Sequence, residues 1–312
     1  MPTPRISIIM AAYNHEKFIA KTLNSLRAQT VPDWELVAIE DGSPDNTGAI
    51  LDEFAAQDER IRVIHQQNSG ISVTRNRAIA SISPEAEFIG FVDSDDVWEP
   101  DALEILLNAL EKNKRAVAAH GIARYIDAND ELLRPGEMER SGRVRHGFRE
   151  GKLIDWPLSD PTTFEVLIWR DCIPAGGVLL RRSVMDKVGN CDASTSPAED
   201  WDLYLRMSVH GDFAFADKVV YNFRQHGNNT SGNEARMREA EQVIRRKFVE
   251  LPELTQEKRD IAVLAWRLSQ RKEALARLQW AGGALVRGHF MNAAKQFRHG
   301  AISYVRSLRS RY

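Results

Sequence analysis

Four short apolar runs, each of strand length and each followed by a segment of helical periodicity, most constrain what this chain can fold into. Residues 6–10 precede 17–29, where Phe18, Ile19, Leu23 and Leu26 recur at helical spacing. Residues 36–39 precede 45–57, with Ile50, Leu51 and Phe54 as the apolar stripe. Residues 61–64 lead into 71–82, and 88–92 into 101–113. Strands alternating with helices predict an α/β fold, a parallel sheet between helical layers. Ligands of such sheets bind beyond the carboxyl ends of the strands. Tyr13-Asn14, Glu40-Asp41-Gly42-Ser43, Gln67-Asn68-Ser69-Gly70 and Asp93-Ser94-Asp95-Asp96 all fall at those ends. They are expected to line one crevice.

The last of these segments carries the most chemistry. In extended backbone, residues i and i+2 point to the same side, so Asp93 and Asp95 can converge on one cation, with Asp96 on the following turn. Hard divalent ions such as Mg²⁺ and Mn²⁺ take oxygen ligands and are often held by one or two carboxylates plus substrate phosphates. The alternative is an acidic loop whose aspartates cap the next helix.

Beyond residue 116 the pattern is less regular. A strand is predicted over 116–125, a charged loop over 127–151, and a strand over 173–180, where Gly176-Gly177 permits close backbone approach. A helix over 199–210 begins with acids, and a strand over 219–224 leads to His226. The polar, glycine-containing stretch 227–232 is the candidate boundary. It divides the chain into a domain of 1–230 and a basic helical extension of 231–312, the latter interrupted at Gly282-Gly283.

Charge sharpens that division. The net charge of −2 combines a tail from Glu257 to Tyr312 with 12 Lys+Arg against 3 Asp+Glu, a net of +9, and a remainder of −11. An acidic body argues against nucleic acid as the main partner. In the tail, Leu275, Leu278, Leu285, Val286, Phe290, Phe297 and Val305 recur among basic residues. Such a segment either lies on an anionic membrane surface or packs on protein, its own body or a second subunit. Cys172 and Cys191 give neither a disulfide framework nor metal-ligand spacing, and no leader is expected ahead of the first strand. No apolar stretch reaches the ~18 residues of a membrane span. The expected location is cytoplasmic, peripheral at the inner face of the membrane if the tail anchors.

Taken in order, five segments make the chain resemble the family 2 glycosyltransferases, enzymes of the GT-A fold that use nucleotide-sugar donors. They are residues 6–14, residues 40–45, Gln67-Asn68-Ser69-Gly70 with Arg75-Asn76, Asp93-Ser94-Asp95-Asp96, and Glu199-Asp200-Trp201-Asp202-Leu203. The resemblance implies that Ala11 and Tyr13 sit at the nucleotide base and that Asp41 accepts from a uracil imide, hence a UDP-sugar. It adds Asn68, Arg75, Asp93 and Ser94 to the donor site. It assigns the metal, Mn²⁺ or Mg²⁺, to Asp95 with Asp93 or Asp96 assisting, and brings His226 to the metal or diphosphate. Asp200 is implied as the catalytic base, with Glu199 as its neighbour. Each residue has a plainer role available: Tyr13 in the core, Asp41 as a helix cap, Arg75 in a surface ion pair, Glu199 and Asp200 favouring a helix N-terminus. Departures from the family pattern are Ala11-Ala12 for Pro-Thr, Glu40 for Asp, Ala78 for Gly and Cys191 for an aromatic.

The implied reaction is inverting transfer of a sugar from the nucleoside diphosphate donor to a hydroxyl of a glycan or lipid-linked acceptor. A sugar nucleotidyltransferase would share sheet and carboxylates, but such enzymes open with a glycine-rich phosphate loop, and residues 10–15 contain no glycine. A non-catalytic nucleotide-sugar-binding protein is expected to have lost Asp95 or Asp200. Acceptor choice is expected from residues 134–174, with Trp156, Trp169 and His146 as candidates to face a sugar.

Overall fold

The computed structural model describes residues 3–134, 142–227, 229, 232–286 and 299–301. Strands β1 (Ile6–Ala12), β2 (Trp34–Glu40), β3 (Ile61–His65) and β4 (Phe88–Asp93) form the parallel half of a sheet in the order β3-β2-β1-β4. β1 and β2 are buried along almost their whole length. Continuous apolar runs suit that position because both sheet faces are covered. Helices α1 (Ile19–Arg27), α2 (Thr47–Gln57), α3 (Ile71–Ile79) and α4 (Ala102–Lys112) make the crossovers. Ile19, Leu23 and Leu26 of α1 and Leu103, Leu106 and Leu110 of α4 have no measurable exposure. Each such side chain stabilises the fold by roughly 1.5–3 kcal/mol.

The sheet then changes character. β5 (Val97–Trp98) follows the acidic turn directly, and β6 (Ala118–Ile126), β7 (Leu132–Leu133), β10 (Val178–Arg181) and β11 (Phe213–Arg224) complete the order β4-β10-β6-β11-β5, with β7 on β6. β10 is antiparallel to both neighbours, whereas β11 runs parallel to β6 with two register shifts between Phe215 and Tyr221. β5 pairs Trp98 with Tyr221 and Val97 with Asn222. The acidic turn is thereby tied to a strand more than a hundred residues away in sequence. Gly176 makes room for that arrangement, because a Cβ there would lie 2.0 Å from Cε2 of Tyr221.

Two sequence expectations are corrected. The charged stretch 127–151 is not all loop: it holds β7 and β8 (Arg145–Arg149), the latter forming a separate hairpin with β9 (Lys152–Trp156). Glu150 and Gly151, both at positive φ, make its turn. Buried Arg145 and Phe148 sit within a sequence whose charge hides the strand. Gly282-Gly283 does not interrupt the final helix, which runs from Gln256 to Val286. A glycine costs a helix only about 1 kcal/mol relative to alanine.

Short helices α5 (Phe164–Leu167) and α6 (Arg182–Val188) precede α7 (Glu199–Ser208), and α8 (Glu234–Glu250) and α9 (Gln256–Val286) follow β11. The chain forms two compact units. The first comprises residues 1–147 and 154–240 and contains the nine-stranded sheet. The second comprises 148–153 and 241–312. Within it the Arg259 guanidinium donates to the carbonyls of Val249 at 3.1 Å and Leu251 at 2.9 Å, tying the start of α9 to the end of α8. Phe290, Phe297, Val305 and the basic residues from Arg287 onward lie outside the described residues. No helix among the described residues is long and apolar enough to cross a membrane.

Candidate active site

Asp93 ends β4, and β-pairing places it beside Ala11 of β1, which in turn pairs with Ile39 of β2. The loops after these strands therefore emerge together. Glu40 folds the β2 loop by accepting from the N–H groups of Gly42 at 3.2 Å and Ser43 at 2.6 Å. Ser43 Oγ accepts the N–H of Asn14, and Thr47 Oγ1 that of His15 at 2.8 Å. Gly42, at φ +71°, passes so close to the β3 loop that a Cβ would sit 2.9 Å from the nitrogen of Asn68.

Asp41 is buried and holds the third loop. Its Oδ1 accepts from Gln66 Nε2 at 2.6 Å and the N–H of Ser69 at 2.9 Å, and its Oδ2 from the N–H of Gly70 at 3.2 Å. A carboxylate offers about four acceptor positions, so one remains on Oδ2. The helix-cap alternative for Asp41 does not hold: Asp45 takes the N–H of Thr47 instead. Tyr13 is 45% exposed and is no core residue. Asn68 is exposed in the loop after β3, and Ala11 is half-buried.

Arg75, on α3, is buried and bridges two acids. Nη2 donates to Asp93 Oδ1 and Nη1 to Glu199 Oε1, each at 2.7 Å. Burial alone would lower its pKa, but Asp93, Glu199 and Asp200 together hold it well above its ordinary value. It is no surface ion pair. The neighbouring Asn76 exchanges two 2.9 Å hydrogen bonds with the backbone of Cys191, fixing α3 to the loop that leads into α7.

Glu199 and Asp200 open α7 yet meet different surroundings. Glu199 is 1% exposed and faces Arg75, and its Oε2 has no hydrogen-bond partner among the described residues. Asp200 is half-buried, and its Oδ1 accepts only the N–H of Trp201, at 2.8 Å. Burial raises its pKa, Arg75 opposes this, and Glu199 adds to it, leaving Asp200 at about 6.

The acidic turn divides in the same manner. Asp96 is not brought to a ligand cluster, contrary to the sequence expectation. Tyr221 Oη donates to its Oδ2, and the Arg224 N–H donates to Oδ1 at 2.6 Å. Burial, then Asp95 and Asp93, push its pKa well above the ordinary value. Asp95 Oδ2 instead lies 2.8 Å from His226 Nε2 and 3.7 Å from His15 Nε2. Burial pushes Asp95 up, but the His226 hydrogen bond and the two imidazoles outweigh it, so its pKa falls below the ordinary value. Ser94 is buried, with its Oγ 2.7 Å from His15 Nδ1.

His15, Asp95 and His226 each present a ligand atom within 4.8 Å of the others. One carboxylate and two imidazoles are a donor set that fits a divalent cation. His15 was missed in the sequence, where it follows Tyr13-Asn14 as an unremarkable loop residue. Its only signal was a histidine beyond the end of β1.

Residues 7–177 match the family described as glycosyl transferase family 2. The chain belongs to that family. It is 31% identical over 236 residues to a chondroitin synthase of Escherichia coli, covering 73% of this chain and 30% of that protein. It is 39% identical over 127 residues to the putative glycosyltransferase EpsH of Bacillus subtilis, covering 41% of this chain and 36% of that one. The family 2 chain thus spans about a third of the length of these relatives. Among solved structures it superposes on S. aureus TarS 1-349 in complex with UDP-GlcNAc with a TM-score of 0.62 at 18% identity, over 98% of this chain and 93% of that one. The mannosyltransferase PcManGT from Pyrobaculum calidifontis, in complex with GDP-Man and Mn²⁺, gives 0.61 at 14% identity over 99% and 88%. At these identities the likeness shows the fold, a GT-A mixed sheet flanked by helices.

The family match ends before Glu199, Asp200 and His226. The tertiary structure brings those three residues of this family 2 chain to the strand ends. Of the acceptor candidates, Trp156 is buried with its Nε1–H donating to the Pro161 carbonyl, so it faces protein rather than sugar. His146 is half-buried and lies 2.9 Å from Asp155, and Trp169 is half-buried.

Proposed function

We propose that this family 2 chain transfers a sugar, with inversion, from a nucleoside diphosphate sugar of the UDP class to a hydroxyl of a glycan or lipid-linked acceptor in polysaccharide synthesis. The observation that carries this reading is the division of the adjacent acids on α7. Arg75 holds Glu199 as a buried counter-charge, while Asp200 keeps a carboxylate with a pKa of about 6 at the strand ends. A general base works best when its pKa lies near the operating pH. Asp200 would take the proton of the attacking hydroxyl, and no covalent enzyme intermediate is needed.

Tyr13, exposed at the mouth, offers a ring for the base, and the remaining acceptor position on Asp41 suits a uracil imide. Asp95 and His226 would hold Mn²⁺ or Mg²⁺, which when bound supplies charge neutralisation for the leaving diphosphate. Holding donor and acceptor in line contributes much of the remaining rate. The chondroitin synthase relative and the UDP-GlcNAc complex of TarS support the donor class and the polysaccharide setting.

The test is nucleoside diphosphate release from a panel of UDP-, GDP- and dTDP-sugars, with divalent metal and after chelation. UDP release that needs the metal is expected. Release that is undiminished by chelation, or confined to GDP- or dTDP-sugars, overturns the metal or the donor assignment respectively.

A further inference from the structure

The cluster around Asp95 contains one side chain more than the proposed reading requires. His15 and His226 pack edge to face, their rings 5.6 Å apart and nearly perpendicular, with Asp95 Oδ2 2.8 Å from Nε2 of His226 and 3.7 Å from Nε2 of His15. His15 is also held in place. Its N–H donates to Thr47 Oγ1, its carbonyl accepts the N–H groups of Phe18 and Ile19 at 3.0 Å, and Phe18 stacks on His226 at 4.8 Å. The buried hydroxyl of Ser94 lies 2.7 Å from Nδ1. A hydrogen bond from Nδ1–H to that oxygen leaves the lone pair of Nε2 directed at Asp95. Metal-binding histidines ordinarily have such a partner on the second nitrogen, which fixes their tautomer.

We infer that His15 is a third protein ligand for the cation, so that His15 Nε2, Asp95 Oδ2 and His226 Nε2 form a two-histidine, one-carboxylate site selective for transition metals of the Mn²⁺ to Co²⁺ range over Mg²⁺. This rests on the metal-dependent reading above and extends it to a residue and a selectivity. Imidazole nitrogen suits first-row transition ions, with affinity rising from Mn²⁺ towards Co²⁺ and Ni²⁺, whereas Mg²⁺ favours oxygen and gives up its waters reluctantly. Ligand nitrogens must be unprotonated at the metal, so cation binding competes with protons there. With three donors from the protein, the site takes its ion before the nucleotide arrives. A site of one carboxylate and nucleotide phosphates would not.

The experiment is Mn²⁺ titration of the full chain followed by electron paramagnetic resonance, without nucleotide, in the wild type and in His15→Gln and His226→Gln. The wild type is expected to bind Mn²⁺ at least tenfold more tightly than Mg²⁺ and to show couplings to two imidazole nitrogens. Each variant should keep one coupling and lose roughly 10–100-fold in affinity, as for loss of other groups that support a metal site. A folded His15→Gln with wild-type Mn²⁺ affinity, or a single nitrogen coupling in the wild type, overturns the inference. If His15→Gln fails to fold, the number of couplings in the wild type still decides. Repeating the titration with UDP separates the two ideas. Mn²⁺ binding that requires UDP and shows one nitrogen defeats the His15 assignment but leaves the metal reading standing. Mn²⁺ that binds under neither condition defeats both.

Discussion

Two acidic pairs lie at the mouth of the sheet, and each is divided in the same sense. In Asp95-Asp96 the second acid is buried under Tyr221 and the Arg224 N–H, while the first faces two imidazoles. In Glu199-Asp200 the first is buried on Arg75, while the second meets only its own helix N–H. Adjacent carboxylates repel one another, and a site that needs one ionised gains by neutralising or pairing the other. One acid of each pair builds the site and the other faces its contents.

The difference within the α7 pair has the largest expected consequence. Asp200→Asn should lower turnover by ~10²–10⁴-fold while donor affinity stays near wild type, because a positioned base contributes that much. Its pH dependence follows from the raised pKa of about 6. Below that value the carboxyl is protonated and cannot accept, so wild-type kcat should fall as pH drops through about 6. Stability runs the opposite way. An acid whose folded pKa is raised binds its proton more tightly when folded, so it weakens the fold as pH rises towards 6 and above. Asp200→Asn should therefore melt no lower than wild type above pH 6, by thermal scan. Full turnover in this variant would place the base elsewhere.

Glu199→Gln probes the buried partner. It leaves Arg75 with one hydrogen-bonded carboxylate instead of two in a buried setting, and removing one partner of a buried pair costs about 3–5 kcal/mol. Denaturant unfolding should show a loss of that order. If Glu199→Gln keeps its stability and loses turnover alone, the roles within the pair are reversed. The smallest effect belongs to Asp96→Asn. Since its pKa is pushed well above the ordinary value, an amide of the same shape is close to its neutral form, and an oxygen remains for the Arg224 N–H. A stability change of about 1 kcal/mol is expected, with Mn²⁺-dependent UDP binding kept. Loss of metal dependence would return Asp96 to the ligand set.

Much of the scaffold was legible because its signals are local. The runs that became β1 to β4 are apolar over strand length, the stripes of α1 and α4 recur at helical spacing, and the polar segments follow each strand. Periodicity of this kind records which face of an element is buried. The regions that misled are those where local chemistry and tertiary role disagree. Charge at Arg145 and its neighbours masked a hairpin whose guanidinium is buried against the carbonyls of Pro157 and Asp160. Gly282-Gly283 suggested a break that the helix crosses.

What the sequence determined by itself was the sheet-and-helix frame, the four strand ends and the identity of the acids placed there. What only the tertiary structure decided was how neighbouring acids divide their work. Glu199 turns to Arg75 across 124 residues of chain, Asp96 to Tyr221 across 125, and Asp95 to His226 across 131. No local pattern encodes those distances. A carboxylate's ionisation depends on burial and on the charges within a few ångströms, and both are properties of the packed chain rather than of the residue or its neighbours in sequence.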